Sequence, residues 1–201
     1  MTSANVASND FLAVLNEQRV QANKNIANPS TGALVPMAEI QALEEQLGSL
    51  PVSNSDALDD DLQKIKAVAH SGATVLAEQA QEEITDITNH YMNSARDNDA
   101  YSLFRNKMEQ CREHARENAD IAIDKVFDTA QNVGQNSNPS VQSAIVNFMT
   151  SVVEPGISAV LNEILNFIAN AVENLPNWIA HAFDAIKQSF AKITAFIKSA
   201  F

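Results

Sequence analysis

The sequence of 201 residues has little cysteine, glycine or proline, with one, five and six of each. The single cysteine, Cys111, has no partner for an internal disulfide, and every Asn-x-Ser/Thr triplet carries proline in the middle, so a reducing compartment fits the chain best. Apolar residues recur at helical rather than alternating spacing, so no segment has the pattern of a strand. The sequence therefore predicts an all-α fold.

Motifs that carry chemistry are also missing. The chain has no glycine-rich phosphate loop, no His-Glu-x-x-His and no Gly-x-Ser-x-Gly, and none of its four histidines follows a glutamate by three residues, as a di-iron helical bundle requires. Two weak combinations are present. Cys111 and His114 share one side of a helix, and acidic residues accompany histidine at Asp86/His90 and at Glu113, His114 and Glu117. We expect a buried, inert thiol and exposed side-chain pairs, hence no catalytic residue, metal ligand or cofactor.

The sequence also has no stretch that is typical of a targeting signal. The stretch 1–9 is polar and has neither basic residues nor an apolar run, so it is not typical of a Sec signal peptide. Glu163, Glu173 and Asp184 interrupt the apolar stretches before any reaches the roughly 18 residues of a spanning helix. We therefore expect a cytoplasmic protein without a conventional transmembrane helix, or one exported by a route that needs no N-terminal signal peptide.

Charge is plentiful but unevenly distributed. The formal net charge is -12, with 21 acidic and 10 basic residues in 1–135 (-11) but 4 acidic and 3 basic residues in 136–201 (-1). A chain this acidic repels a nucleic-acid backbone, so nucleic-acid binding is not expected. Together with the turn formers at 135–140, the change predicts a border between a charged part and a charge-poor part.

The charged part divides into an arm, 1–52, and a long helical hairpin, 53–135. In the arm, Phe11, Leu12, Leu15 and Val20 predict an amphipathic helix that ends near Pro29, and a short helix is predicted over 37–47. In the hairpin, apolar and small residues advance by threes and fours from Leu58 to about Arg96 and again from Leu103 to Ala130, with Gly72 as the weak point of the first helix. Two such helices with a short connection predict an antiparallel pair.

The charge-poor part, 136–201, predicts a subdomain of amphipathic helices that makes the whole a helical bundle. The helices are expected to break at Pro155 and Pro176, either by a kink or by folding back. Its most periodic feature, here called the C-terminal apolar face, is the candidate partner- or membrane-facing surface. It comprises Trp178, Ile179, Phe183, Ile186, Phe190, Ile193, Ile197 and Phe201. Leaving these large side chains in water would cost on the order of 10 kcal/mol, so some surface has to cover them.

Three hypotheses about function follow. The first is a non-enzymatic interaction or scaffold protein whose C-terminal helices pack in the core, in an oligomer or against a partner helix. The second is a membrane-active toxin or effector whose helices after Pro139 engage a bilayer, since the apolar stripe, Trp178 and three lysines also suit a membrane interface. In architecture alone, the chain resembles helical pore-forming toxins and secreted bacterial effectors. The third is an enzyme with a site that no motif marks.

Overall fold

The computed structural model describes residues 3–27, 55–94 and 98–201, which are helical apart from short turns. The helices are α1 (Ser3–Ala27), α2 (Ser55–Met92), α3 (Asn98–Gly134), α4 (Pro139–Phe148), α5 (Glu154–Glu173), α6 (Leu175–Trp178) and α7 (Ala182–Ala200). A π-helical segment, Met149–Val153, joins α4 to α5, and a 3-10 turn, Ile179–His181, joins α6 to α7. Because the described ranges contain no strand, the predicted all-α fold is confirmed. The short helix predicted over 37–47 lies outside the described residues.

The two long helices, α2 and α3, pack side by side. Gly72 of α2 lies against Ala122 of α3, whereas Glu83, eleven residues later in α2, binds His114, eight residues earlier in α3. The two helices therefore run in opposite directions. A Cβ atom on Gly72 would lie 2.9 Å from the Cβ atom of Ala122, so the absence of a side chain is what lets the helices approach here.

Helix α1 packs on α3, α4 and α5. Its buried stripe is Phe11, Leu15, Ala22 and Ile26, at a spacing that places all four on one side of a helix. Burial of each large side chain in this stripe contributes about 1.5–3 kcal/mol. Val20, predicted on the apolar face, is instead 53% exposed, because the stripe continues through Ala22.

Helices α4 and α5 form one continuous helix from Pro139 to Glu173, so the chain does not fold back at Pro155, which was one of the two alternatives predicted there. The Asn138 side chain begins this helix by accepting hydrogen bonds from the Ser140 and Val141 amides. Proline lacks an amide hydrogen and crowds the preceding turn. The wider π-helical turn directly before Pro155, in which the Glu154 amide donates to the Met149 carbonyl, accommodates it without ending the helix.

The break predicted at Pro176 is present: α5 ends at Glu173 and the chain passes through α6 into α7. The core is one contiguous cluster of apolar side chains contributed by every helix from α1 to α7. At one end of the bundle, aromatic rings contact one another in sequence, with centroids 5.2–6.1 Å apart. The rings are Tyr91, Phe104, Trp178, Phe167 and Phe190. They tie α2, α3, α6, α5 and α7 together.

Candidate interaction surfaces

Most of the C-terminal apolar face lies inside the molecule. The buried members are Trp178, Ile186, Phe190, Ile193 and Ile197. Ile179 and Phe201 are partly buried against the core, and Phe183 is 44% exposed. Helix α7 packs this face against α2 and α5, so the chain itself covers much of what the sequence marks as a candidate contact surface.

A groove of about 610 Å³ lies between α2 and α3 on the outside of the molecule. Its lining is mostly polar, and consists of Gln79, Glu82, Glu83, Asp86, Ile87, His90, Lys107 and Gln110. Three carboxylates face one lysine and one histidine, so the groove is acidic overall and suits a positively charged group. Ile87 adds an apolar contact.

The Glu83 carboxylate connects the groove to the buried cysteine. Its two oxygens lie 3.0 and 3.2 Å from Nδ1 of His114, and the Cys111 thiol forms a hydrogen bond to it. Burial first, and then the negative charge of Glu83 and that hydrogen bond, raise the pKa of Cys111 from 9.0 to about 12. A thiol with such a pKa stays protonated at neutral pH, whereas a nucleophilic cysteine needs the thiolate. The hydrogen bond of the Cys111 thiol goes to Glu83 rather than to His114, so the thiol is not paired with the histidine as a nucleophile is with its base.

The acidic and histidine combinations do not gather into a metal site in the part of the chain that the structure describes. Asp86 and His90 both line the groove, but no group of three metal-ligating side chains forms among these residues. Glu113 pairs with Arg116, one turn along the same helix. These contacts have the character of exposed pairs on charged helices.

Two large apolar side chains are exposed on the two helices that form the groove. Val75 of α2 is 45% exposed and Ile121 of α3 is 50% exposed. Val75 follows Gly72 by three residues and Ile121 directly precedes Ala122, so both lie beside the closest approach of the two helices. We call the groove together with Val75 and Ile121 the outer α2–α3 face. The sequence interpretation missed both residues because they lie off the buried seam. For Ile121 the available signal was an apolar side chain amid charged neighbours, whereas the neighbours of Val75 are uncharged.

The continuous helix Pro139–Glu173 is long and apolar enough to cross a membrane by length and composition. The sequence expectation of no spanning helix is therefore too strict, since the few charges do not offset the apolar residues around them. In the bundle, 61% of the most apolar window is buried. The central helix of a soluble bundle has the same composition, so this property fits either environment.

Comparison of the chain with protein-family models, with curated proteins and with solved structures finds no match to any of them.

Proposed function

We propose that the protein is a non-enzymatic helical interaction protein, and that its partner binds on the outer α2–α3 face. The observation that supports this is the coincidence of an open groove with two exposed apolar side chains, Val75 and Ile121, on the longest helices of the bundle. Apolar patches rimmed by polar residues mark interaction sites, and the apolar part of a binding surface lies at its centre.

The charge of the two helices that form this face indicates the chemistry of the partner. Helix α2 carries 8 acidic and 2 basic residues, a balance of -6, and α3 carries 7 and 5, a balance of -2. Complementary charge accelerates encounter and selects among partners, while apolar contacts near the centre supply most of the affinity. We therefore propose a basic protein segment that covers Val75 and Ile121 and places a cation in the groove near Asp86.

Quantitative affinity capture with matched surface variants tests this proposal. Val75→Ser with Ile121→Ser removes the apolar contacts of the face, and Phe183→Ser removes an exposed apolar side chain of similar exposure on α7. We expect the amount of captured partner to fall at least about tenfold with the first variant and to stay unchanged with the second. Loss with Phe183→Ser alone would contradict the proposal and assign binding to the C-terminal helices.

A second candidate function is membrane activity, which is favoured by the length and composition of the helix Pro139–Glu173. For this helix to meet lipid, the helices that cover it have to move away. Flotation of the full-length chain with vesicles of phosphatidylcholine and phosphatidylglycerol tests this candidate, with protease protection of 139–173 as the second readout. Membrane activity requires both flotation and protection, and a chain that stays in the dense fraction with every vesicle contradicts it.

A further inference from the structure

We propose that the surface beneath α1 is a second binding site, for an amphipathic helix of a partner protein, and that α1 is a displaceable helix that occupies it. We call this surface the α1 seat; it is the part of α3, α4 and α5 that α1 covers. It shares α3 with the outer α2–α3 face but extends over α4 and α5, and neither proposal is a premise of the other.

The seat has an apolar pocket where α3 ends. The Phe11 ring lies so close to Gly134 that a Cβ atom there would collide with it, and Ile145 of α4 borders the same space. Leu15, Ala22 and Ile26 follow Phe11 along one side of α1 and are buried. The seat therefore accepts an amphipathic helix that begins with an aromatic anchor, the helix-in-groove mode of recognition.

The seat also favours a positively charged residue on the helix that binds it. Nη2 of Arg19 donates to the Asp124 carbonyl at 3.2 Å and pairs with the Asp128 carboxylate, and Nε lies 3.6 Å from the Asp124 carboxylate. The guanidinium lies 5.9 Å from the ring centroid of Phe127. A partner helix therefore needs an arginine about two turns after its aromatic anchor, because a planar cation satisfies carbonyl, carboxylate and ring together.

Some of the contacts that hold α1 on the bundle break at low cost. Beyond its apolar stripe and the part-buried contacts of Arg19 and Asn23 with Asp124, α1 is held by exposed hydrogen bonds, from Gln131 to Asn16 at 2.8 Å and from Asn25 to Glu154 at 2.9 Å. Water replaces such contacts at little cost, because released groups form hydrogen bonds with solvent.

Buried polar atoms without hydrogen-bond partners also lower the cost of opening α1. Oε1 of Gln18 and Oδ1 of Asn23 are buried and find no hydrogen-bond partner among the described residues. Undocking of α1 exposes both atoms to water. The opening of α1 is therefore less costly than the opening of α3 or α5.

Hydrogen exchange on the wild-type, full-length chain is the first test. We expect the amides of α1 to exchange at least about tenfold faster than the buried amides of α5, with rates that depend only weakly on denaturant, as in local opening. If α1 amides exchange only through global unfolding, α1 is a fixed part of the core and the proposal is overturned.

Binding of a labelled synthetic peptide of residues 3–27 to the full-length chain is the second test. In the wild type, the tethered α1 competes at high effective concentration, so the peptide binds weakly. Arg19→Glu in the chain places a carboxylate against Asp124 and Asp128, which opens the seat. We expect the peptide to bind this variant at least about tenfold more tightly than the wild type.

Two controls make the binding test specific. Lys24→Glu makes the same charge change at an exposed position of the same helix and leaves peptide affinity near the wild-type value. A peptide that itself carries Arg19→Glu does not bind the opened chain. Equal binding of the peptide to all three chains overturns the proposal. A wild-type dimer that dissociates on Arg19→Glu also overturns it, because the seat would then belong to α1 of a second copy.

Discussion

The Cys111 thiol lies beside the Glu83 carboxylate in a buried position that raises its pKa from 9.0 to about 12. Between these values the unfolded chain loses the thiol proton while the folded chain keeps it. The folded state therefore binds more protons, and its stability falls as the pH rises above 9.0. The slope that this residue adds is at most about 1.4 kcal/mol per pH unit.

Cys111→Ala isolates this contribution. We expect the variant to lose less unfolding free energy than the wild type between pH 8 and pH 10.5, because alanine has no proton to lose. Denaturant titrations of both chains at several pH values measure the difference, which is expected to stay constant from pH 6 to pH 8. If the unfolding free energies of the wild type and the variant decline in parallel above pH 9, the folded thiol ionises at its ordinary pKa.

Asp120 gives a pH dependence of the same sign, but in the acid range. Burial, and then the nearby Asp124, raise the pKa of Asp120 above its ordinary value of 3.8, so its ionised form destabilises the folded state. We expect Asp120→Asn to increase the Tm by a small amount at pH 7, and the gain to shrink as the pH falls through the raised pKa. Thermal unfolding at pH 7 and pH 4 measures this. Asp86→Asn, at an exposed position of the groove, is the control without such a gain.

At the scale of the helices, the closest approach of α2 and α3 depends on Gly72. Gly72→Ala gains about 1 kcal/mol in helix propensity, but the added Cβ atom meets Ala122, whose backbone has to shift at about 1–3 kcal/mol. We expect a net loss of about 1 kcal/mol, which Ala122→Gly relieves in the double variant. Chemical denaturation of the single and double variants measures the coupling.

Gly156→Ala is the matched control for this prediction. Its Cβ atom would meet only the ring end of Phe201, which turns aside at lower cost than a backbone. We expect Gly156→Ala to cost less than Gly72→Ala. The reverse order would contradict the view that α2 and α3 are fixed at Gly72.

The periodic pattern predicted the helices well, because spacing records which side of a helix is buried. It did not predict the role of Gly72, which it marked as a weak point of α2, because the need for glycine lies in a neighbouring helix 50 residues later in the chain. It also left open whether the chain kinks or folds back at Pro155, since the π-helical turn that accommodates the proline has no sequence signal of its own. The outer α2–α3 face was missed because exposure depends on which helices cover which faces.

At the scale of the whole molecule, the uneven charge has a structural explanation. Residues 136–201 carry little charge because they provide the helices that fill the bundle, and the core extends from them into α1, α2 and α3 without interruption. The charged residues lie on the outer sides of α2 and α3, where solvent screens them. The two chemical characters of the sequence therefore correspond to the inner and outer parts of one bundle.

Phe190 and Phe183 test whether α7 is part of a cooperative core. Phe190 is 2% exposed and contacts Phe167, whereas Phe183, on the same helix, is 44% exposed. Phe190→Ala leaves a cavity at the junction of α2, α5 and α7 and is expected to cost about 3–5 kcal/mol, a large fraction of the stability of a single domain. Phe183→Ala is expected to cost less than about 1 kcal/mol.

Denaturation followed by circular dichroism, with hydrogen exchange of α2 amides as a second readout, measures both variants. Because α7 packs on α2, the loss at Phe190 should lower the protection of α2 as well. If Phe190→Ala leaves α2 protected while α7 alone exchanges freely, α7 is a separable element, and its apolar face is available to a partner or a membrane.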